Sequence, residues 1–248
     1  MCIIIGIFGG IKTMAYFFDS RVRFSEAGTD GKLTLPGILD YFQDCCTFQA
    51  DSINQGSKST MSRNRIWVLS SWQVIINRYP EQGEFIRTTT LPYKLVMCFG
   101  HRNFKMEGEN GELLAVANSL WTNLNIETGT PARLREDDLK GYVLDEKLEM
   151  PYAKRKLAVP EDVSPDEPFV IQKHQLDINH HVNNVQYVRM AMDYLPEGCV
   201  VREMKAEYHK QAFQGDVFCP AVKIGGDMAT VLLNNEEGEL YTAVEFRF

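Results

Sequence analysis

Asp177-Ile-Asn-His-His-Val-Asn-Asn-Val-Gln-Tyr187 sets a carboxylate (Asp177), a carboxamide (Asn179) and an imidazole (His181) within five residues. An amphipathic helix is predicted to follow at once. Val185, Val188, Ala191, Met192 and Leu195 recur at helical spacing, so one face of that helix seeks a core. Asn183 is the expected N-cap, and the first helical turn leaves backbone N–H groups in need of partners. A loop carrying acid, amide and imidazole onto a helix N-terminus can polarise a carbonyl and activate a water. An ordinary helix-capping loop uses the same residue types, and the residues alone leave both readings open.

The pattern Asp-x-Asn-x-His-Val-Asn-Asn-x-x-Tyr resembles the active-site signature of the acyl-acyl-carrier-protein (acyl-ACP) thioesterases. Ile66-Trp-Val-Leu-Ser-Ser-Trp-Gln-Val-Ile-Ile-Asn-Arg-Tyr-Pro-Glu-Gln-Gly83 and Gly111-Glu-Leu-Leu-Ala-Val-Ala-Asn-Ser-Leu-Trp121 resemble two further blocks of that family, in the family's order. The resemblance runs from about Arg21 to the C-terminus. It implies an α+β fold of two tandem hot-dog domains, each a long helix wrapped by a curved antiparallel sheet. It also implies hydrolysis of a fatty acyl-ACP thioester, which releases free fatty acid and ends chain elongation. Acyl carrier protein, itself acidic, is the implied partner, with no cofactor; a homodimer stays open.

By that resemblance the family's catalytic Asp, Asn and His fall on Asp177, Asn179 and His181, with His180 a solvent-facing neighbour. Plant members carry a further catalytic Glu, followed by Cys, where this chain has Gln211 and Ala212. A Gln cannot take a proton, although its carbonyl can still align a water. Glu207 lies on the same face of the strand presumed here, about 13 Å from Gln211 at strand rise, and reads as a solvated strand position. His174, Asp177, His180 and His181 lack any familiar zinc spacing, so no metal is expected. The alternatives are an acyl-CoA thioesterase, since the same chemistry serves either carrier, and a non-catalytic acyl-binding hot-dog protein.

Composition bounds the rest. With 248 residues, 44% hydrophobic and 24% charged, the chain fits one large or two ordinary globular domains. A net charge of −7 argues against a nucleic-acid partner. Six cysteines without a paired framework read as reduced thiols of a cytoplasmic protein. The apolar opening Met1 to Gly10 is too short to span a membrane and lacks signal-peptide features. Residues 1–13 therefore read as an extension outside the fold.

The chain also repeats itself. Asn110-Gly-Glu-Leu-Leu-Ala parallels Glu237-Gly-Glu-Leu-Tyr-Thr, and Gln82-Gly-Glu84 parallels Gln214-Gly-Asp216. Leu35, Ile38, Leu39, Phe42, Cys45 and Cys46 form a helical stripe in the first half, matching the one after Asn184. Each half is predicted to contain a short strand, one long helix and several strands joined by Gly turns. The expected domains are 14–135, for support and acyl-chain binding, and 161–248, for catalysis. The charge-rich stretch 136–160 is the expected linker.

Pairing Leu35 with Asn184 sets Gly28, Asp30 and Lys32 against Asp177, Asn179 and His181. The chemistry is then confined to the second half. Trp67, Trp72, Phe85, Trp121 and the first helix are candidate walls of an acyl tunnel. Lys154-Arg155-Lys156 and Arg63/Arg65 are candidate basic patches for an acidic carrier.

Overall fold

The first half begins with β1 (Tyr16–Arg21), then α1 (Leu35–Ser52) and α2 (Ser57–Met61). Four long strands follow: β2 (Arg65–Ile76), β3 (Phe85–Val96), β4 (Phe99–Gly108) and β5 (Leu113–Asn125). After α3 (Glu136–Leu139) the second half contains β6 (Ser164–Pro165), β7 (Phe169–Val170) and α4 (Asn184–Met192). It ends with β8 (Glu203–Tyr208), β9 (Val217–Gly225), β10 (Met228–Asn234) and β11 (Leu240–Arg247). This computed structural model describes residues 15–248; the extension read over residues 1–13 lies outside the described residues. No described helix is long and apolar enough to cross a membrane.

All strand pairs are antiparallel, in the order β1-β3-β4-β5-β2-β8-β11-β10-β9-β6, with β7 also on β9. The pairing of β2 with β8, from Ser71↔Glu207 to Ile75↔Glu203, fuses the sheets of the two halves. Each half lays its sheet against one helix. Thr34 caps α1 by accepting from the Gly37 N–H, and Pro36 sits in the first turn, where its missing N–H costs nothing. The predicted stripe on α1 is buried, and Phe42 packs against Trp72 and Phe104 at ring separations of 6.3 and 5.2 Å. In the second half Tyr187 meets Phe218 at 5.7 Å, and Phe218 meets Tyr241 at 5.2 Å.

The second helix is shorter than the expected long one. It has 9 residues against 18 in α1. Pro196 explains the stop: the residue before a proline is pushed out of the helical region. Tyr194 and Leu195 close only tight turns, onto Ala191 and Met192.

The segment between the halves crosses the outer face of the sheet as a strap tied by polar side chains. Gln73 donates to the Pro151 carbonyl and accepts from the Ala153 N–H. Asn103 accepts from the Leu148 N–H and the Tyr152 hydroxyl. Glu207 accepts from the Leu157 N–H at 3.0 Å and is buried. Its expected solvated position is thereby corrected: the strap covers it.

Candidate active site

β2 and β8 part company beyond Ser71 and Glu207, and among the described residues positions 65–70 of β2 have no strand partner on that side. Into this split opens a cavity of about 470 Å³. Its walls include Asp177, Asn179 and His181 from one loop, Tyr208 to Gln211 from the end of β8, and Ile66 to Ser70 from β2.

The loop between the short 3-10 turn Lys173–Gln175 and α4 is held by its own backbone. The Asp177 N–H donates to the His181 carbonyl at 2.8 Å, the His180 N–H to the Asp177 carbonyl at 3.0 Å, and Leu176 bridges Val182. The Asp177 carboxylate accepts from the Asn179 N–H at 2.7 Å, an Asx turn that fixes where the Asn179 side chain starts. His180 takes a left-handed backbone, φ 63°, and is exposed, whereas His181 is half-buried on the cavity wall. The imidazole of His181 packs edge-on to Phe213 at 4.9 Å. Among the described residues no hydrogen bond joins the Asn179 or His181 side chains to any other group, so both are available to a bound molecule.

Asn183 caps α4 as predicted, accepting from the Val185 N–H at 2.9 Å. That cap, together with the loop, narrows the set of free donors. The N–H groups of Val182, Asn183 and Gln186 already bond to Ala212, Gln175 and Asn183. Among the described residues no hydrogen bond engages the Asn184 N–H, and Asn184 lines the cavity.

Gln211 lines the same cavity, although β8 ends at Tyr208 and Gln211 lies in the exposed loop beyond it. The expectation of one strand carrying both Glu207 and Gln211 is corrected accordingly. What positions Gln211 is its neighbour: the Ala212 N–H donates to the Tyr187 hydroxyl at 2.9 Å and the Ala212 carbonyl accepts from Val182. Tyr187 closes the quoted signature, but no role for it follows from spacing. Tyr208, whose hydroxyl donates to the Asn184 carbonyl at 2.9 Å, is given no role by the sequence reading.

A second cavity of about 130 Å³ lies in the first half, under α1 and α2. It shares Ile66, Trp67 and Asn179 with the first, so the two adjoin at the candidate loop. Of the four aromatic residues expected along a tunnel, Trp67 and Trp121 line this cavity. Trp72 is core, and Phe85 is an exposed strand residue with the Arg21 guanidinium 4.0 Å over its ring. Of the basic candidates, Lys154, Arg155 and Lys156 are exposed. Arg65 is buried and Arg63 is tied to Gln55, so that second patch does not form. Among the described residues no cluster of His, Cys, Asp or Glu is placed to hold a metal ion.

Comparison with known proteins gives two family matches that together cover most of the chain. Residues 15–142 match the acyl-ACP thioesterase N-terminal domain, and residues 160–246 the acyl-ACP thioesterase C-terminal domain. A chloroplastic palmitoyl-acyl carrier protein thioesterase of Arabidopsis thaliana is 24% identical over 222 residues, which is 83% of this chain and 54% of that protein. The chain thus spans about half the length of such curated relatives. A crystal structure of an acyl-ACP thioesterase from Bacteroides thetaiotaomicron superposes with a TM-score of 0.84 at 21% identity, covering 94% of this chain and 96% of that one. The 12:0-ACP thioesterase from Umbellularia californica gives 0.83 at 18% identity, covering 96% and 98%. The fold is therefore the hot-dog fold, α+β, written twice in one chain.

Proposed function

The chain belongs to the acyl-ACP thioesterase family, and from that membership we propose that it hydrolyses the thioester of a fatty acyl chain borne by acyl carrier protein, releasing the free acid. One observation carries the proposal: Asn179 and His181 stand unpaired on a self-braced loop, beside a cavity of about 470 Å³ at the split between the halves. In this reading the thioester carbonyl points at the Asn184 N–H. A donor aimed at the developing oxyanion is worth about 3–4 kcal/mol. His181 removes a proton from water as the water attacks, and returns it to the departing carrier thiolate when the tetrahedral intermediate collapses. Asn179 and Gln211 orient that water. Asp177 acts through the loop, holding Asn179 in place by its backbone.

The division of labour we propose gives residues 14–135 the acyl chain and residues 161–248 the chemistry. Exposed Lys154, Arg155 and Lys156 support docking of an acidic carrier. Free thiols throughout the described residues support a reducing, cytoplasmic setting.

The test is hydrolysis of one acyl chain presented on acyl carrier protein and on CoA, by the parent and by His181→Ala. Faster release from the carrier protein, lost in His181→Ala, is the expected result. Turnover of the CoA ester alone would reassign the carrier. Acyl binding with turnover of neither would make this a non-catalytic acyl-binding protein.

A further inference from the structure

Arg102 lines the smaller cavity and is 8% exposed. It reaches there because β4 alternates: Phe104 faces α1, and Arg102, two residues earlier, faces the same way. A guanidinium offers five N–H donors. Among the described residues the hydrogen bonds of its head all come from Nη1, to Gln49 Oε1 and Thr90 Oγ1, both neutral oxygens. Tyr142 is a further hydrogen-bonding neighbour of the guanidinium, and among the described residues the remaining Nε–H and Nη2 hydrogens have no other partner at hydrogen-bond distance. Nor are they sealed away, as the Nε atoms of Arg63 and Arg65 are; they reach the cavity space.

Around that space stand Trp67, Trp121, Leu95 and Ile66, a wall suited to methylenes. A plain alkyl chain filling it would strip water from the free guanidinium donors and give nothing back, a loss that buried polar groups do not tolerate cheaply. The formal charge is a separate matter. The Arg102 charge pulls down the pKa of both Tyr142 and Asp145, against the burial that raises them, so a carboxyl already stands near the guanidinium and a second anion is not required.

We propose that Arg102 determines acyl specificity by donating to a neutral oxygen, a hydroxyl or keto group, on the acyl chain, so that oxygenated acyl thioesters are preferred over unsubstituted ones of equal length. This rests on the hydrolase reading for the reaction, but not for the binding.

The experiment uses the full chain with pantetheine thioesters of one chain length: unsubstituted, hydroxylated at each successive carbon, and ending in a carboxylate. Binding of the corresponding free acids is measured by calorimetry. One hydroxyl position should raise kcat/KM at least about tenfold over the unsubstituted chain, the factor a charge-assisted hydrogen bond carries. Arg102→Met should erase that preference by slowing the hydroxylated ester while sparing or speeding the plain one. The parental comparison alone decides the matter if Arg102→Met fails to fold. Equal or better use of the unsubstituted chain by the parent overturns the proposal, as does an equal loss on both esters in the variant, and preference for the carboxylate chain overturns the choice of a neutral oxygen. Failure to hydrolyse every ester would sink the hydrolase reading, and the calorimetric ranking of the free acids would still decide this one.

Discussion

The loop before α1 and the loop before α4 have one backbone and two different purposes. In the first half the Gly28 N–H donates to the Lys32 carbonyl at 2.8 Å and the Gly31 N–H to the Gly28 carbonyl at 3.0 Å. Ala27 bridges Leu33, and the Leu33 N–H donates to the Pro80 carbonyl at 2.8 Å. The second half repeats each of these bonds with Asp177, His180, His181, Leu176, Val182 and Ala212. The left-handed residue recurs too, as Gly31 at φ 75° and His180 at φ 63°. The fold therefore asks only for this backbone. Whatever distinguishes the loops is free to serve function, and the differences on the cavity wall include Gly28 against Asp177, Asp30 against Asn179, Lys32 against His181, and Tyr79 against Gln211. Tyr79 turns its hydroxyl away to the Val201 carbonyl, at 2.9 Å.

The strongest way to break the comparison is to write the first loop's residue into the second. His181→Lys should keep the fold, because Lys32 sits at the same backbone position. Its turnover should fall by about 10²–10⁴, the contribution of a general base. Steady-state hydrolysis beside a thermal melt checks both halves of the statement. An unfolded variant would show that the loops are not interchangeable scaffolds, and a fully active one that His181 is not the base.

A second contrast lies beneath the loops. In the first half Pro80 has no N–H to satisfy, and Ile38 stands where the second half has Tyr187. In the second half the buried Ala212 does have one, and the Tyr187 hydroxyl accepts it. Tyr187→Phe should destabilise by about 1–3 kcal/mol, the cost of an orphaned buried donor. Adding Ala212→Pro, which copies the first half, should recover most of that loss in denaturant unfolding. No recovery would mean that the two halves solve the same position by different backbones.

His180 gives a milder test. A left-handed backbone costs an ordinary residue about 1–2 kcal/mol, and glycine avoids it at an entropic cost of about 0.5–1 kcal/mol. His180→Gly, again the first-half residue, should leave stability within about 0.5 kcal/mol and activity unchanged, while His180→Val should lose about 1–2 kcal/mol. Loss of activity in His180→Gly without loss of stability would bring His180 into the chemistry.

Much of this contrast was legible in the sequence, because it depends on local signals. The stripe Leu35 to Cys46, the Asn183 cap and the Gly111 and Gly238 turns are each fixed by neighbours along the chain. What was not legible depends on contacts far apart in sequence. Glu207 looks like a solvated strand position until the strap over residues 148–157 covers it. Gln211 looks like strand until β8 leaves β2 beyond Glu207 and ends at Tyr208. Nothing near Arg102 in the chain announces that Gln49 and Thr90 would meet it inside a cavity.

The smallest effect expected is also the one closest to the symmetry itself. Asp40 on α1 and Arg189 on α4 occupy matching positions in the repeat, and they face each other at 3.8 Å. A dimer of identical halves would set like residues against like at such a point; one chain carrying both halves can set opposite charges there. The pairing is incomplete, because burial, only partly offset by Arg189, pushes the Asp40 carboxyl up to about 6 from 3.8, with Asp44 and Glu26 adding to the rise. A carboxyl whose folded pKa is raised binds its proton more tightly in the native state. Its contribution to stability is therefore highest below about pH 4 and declines as pH rises from 4 to 6. Asp40→Asn should remove that decline, so the difference in unfolding free energy between parent and variant should shift in the parent's disfavour across that window and stay flat above it. Arg189→Ala should extend the window upward, since it removes the group that lowers this carboxyl in the folded state. With both side chains about half exposed, screening keeps the effect modest. A difference that grows as the pH falls below 4, or that is indifferent to Arg189, would show that the two helices meet without sensing each other's charge.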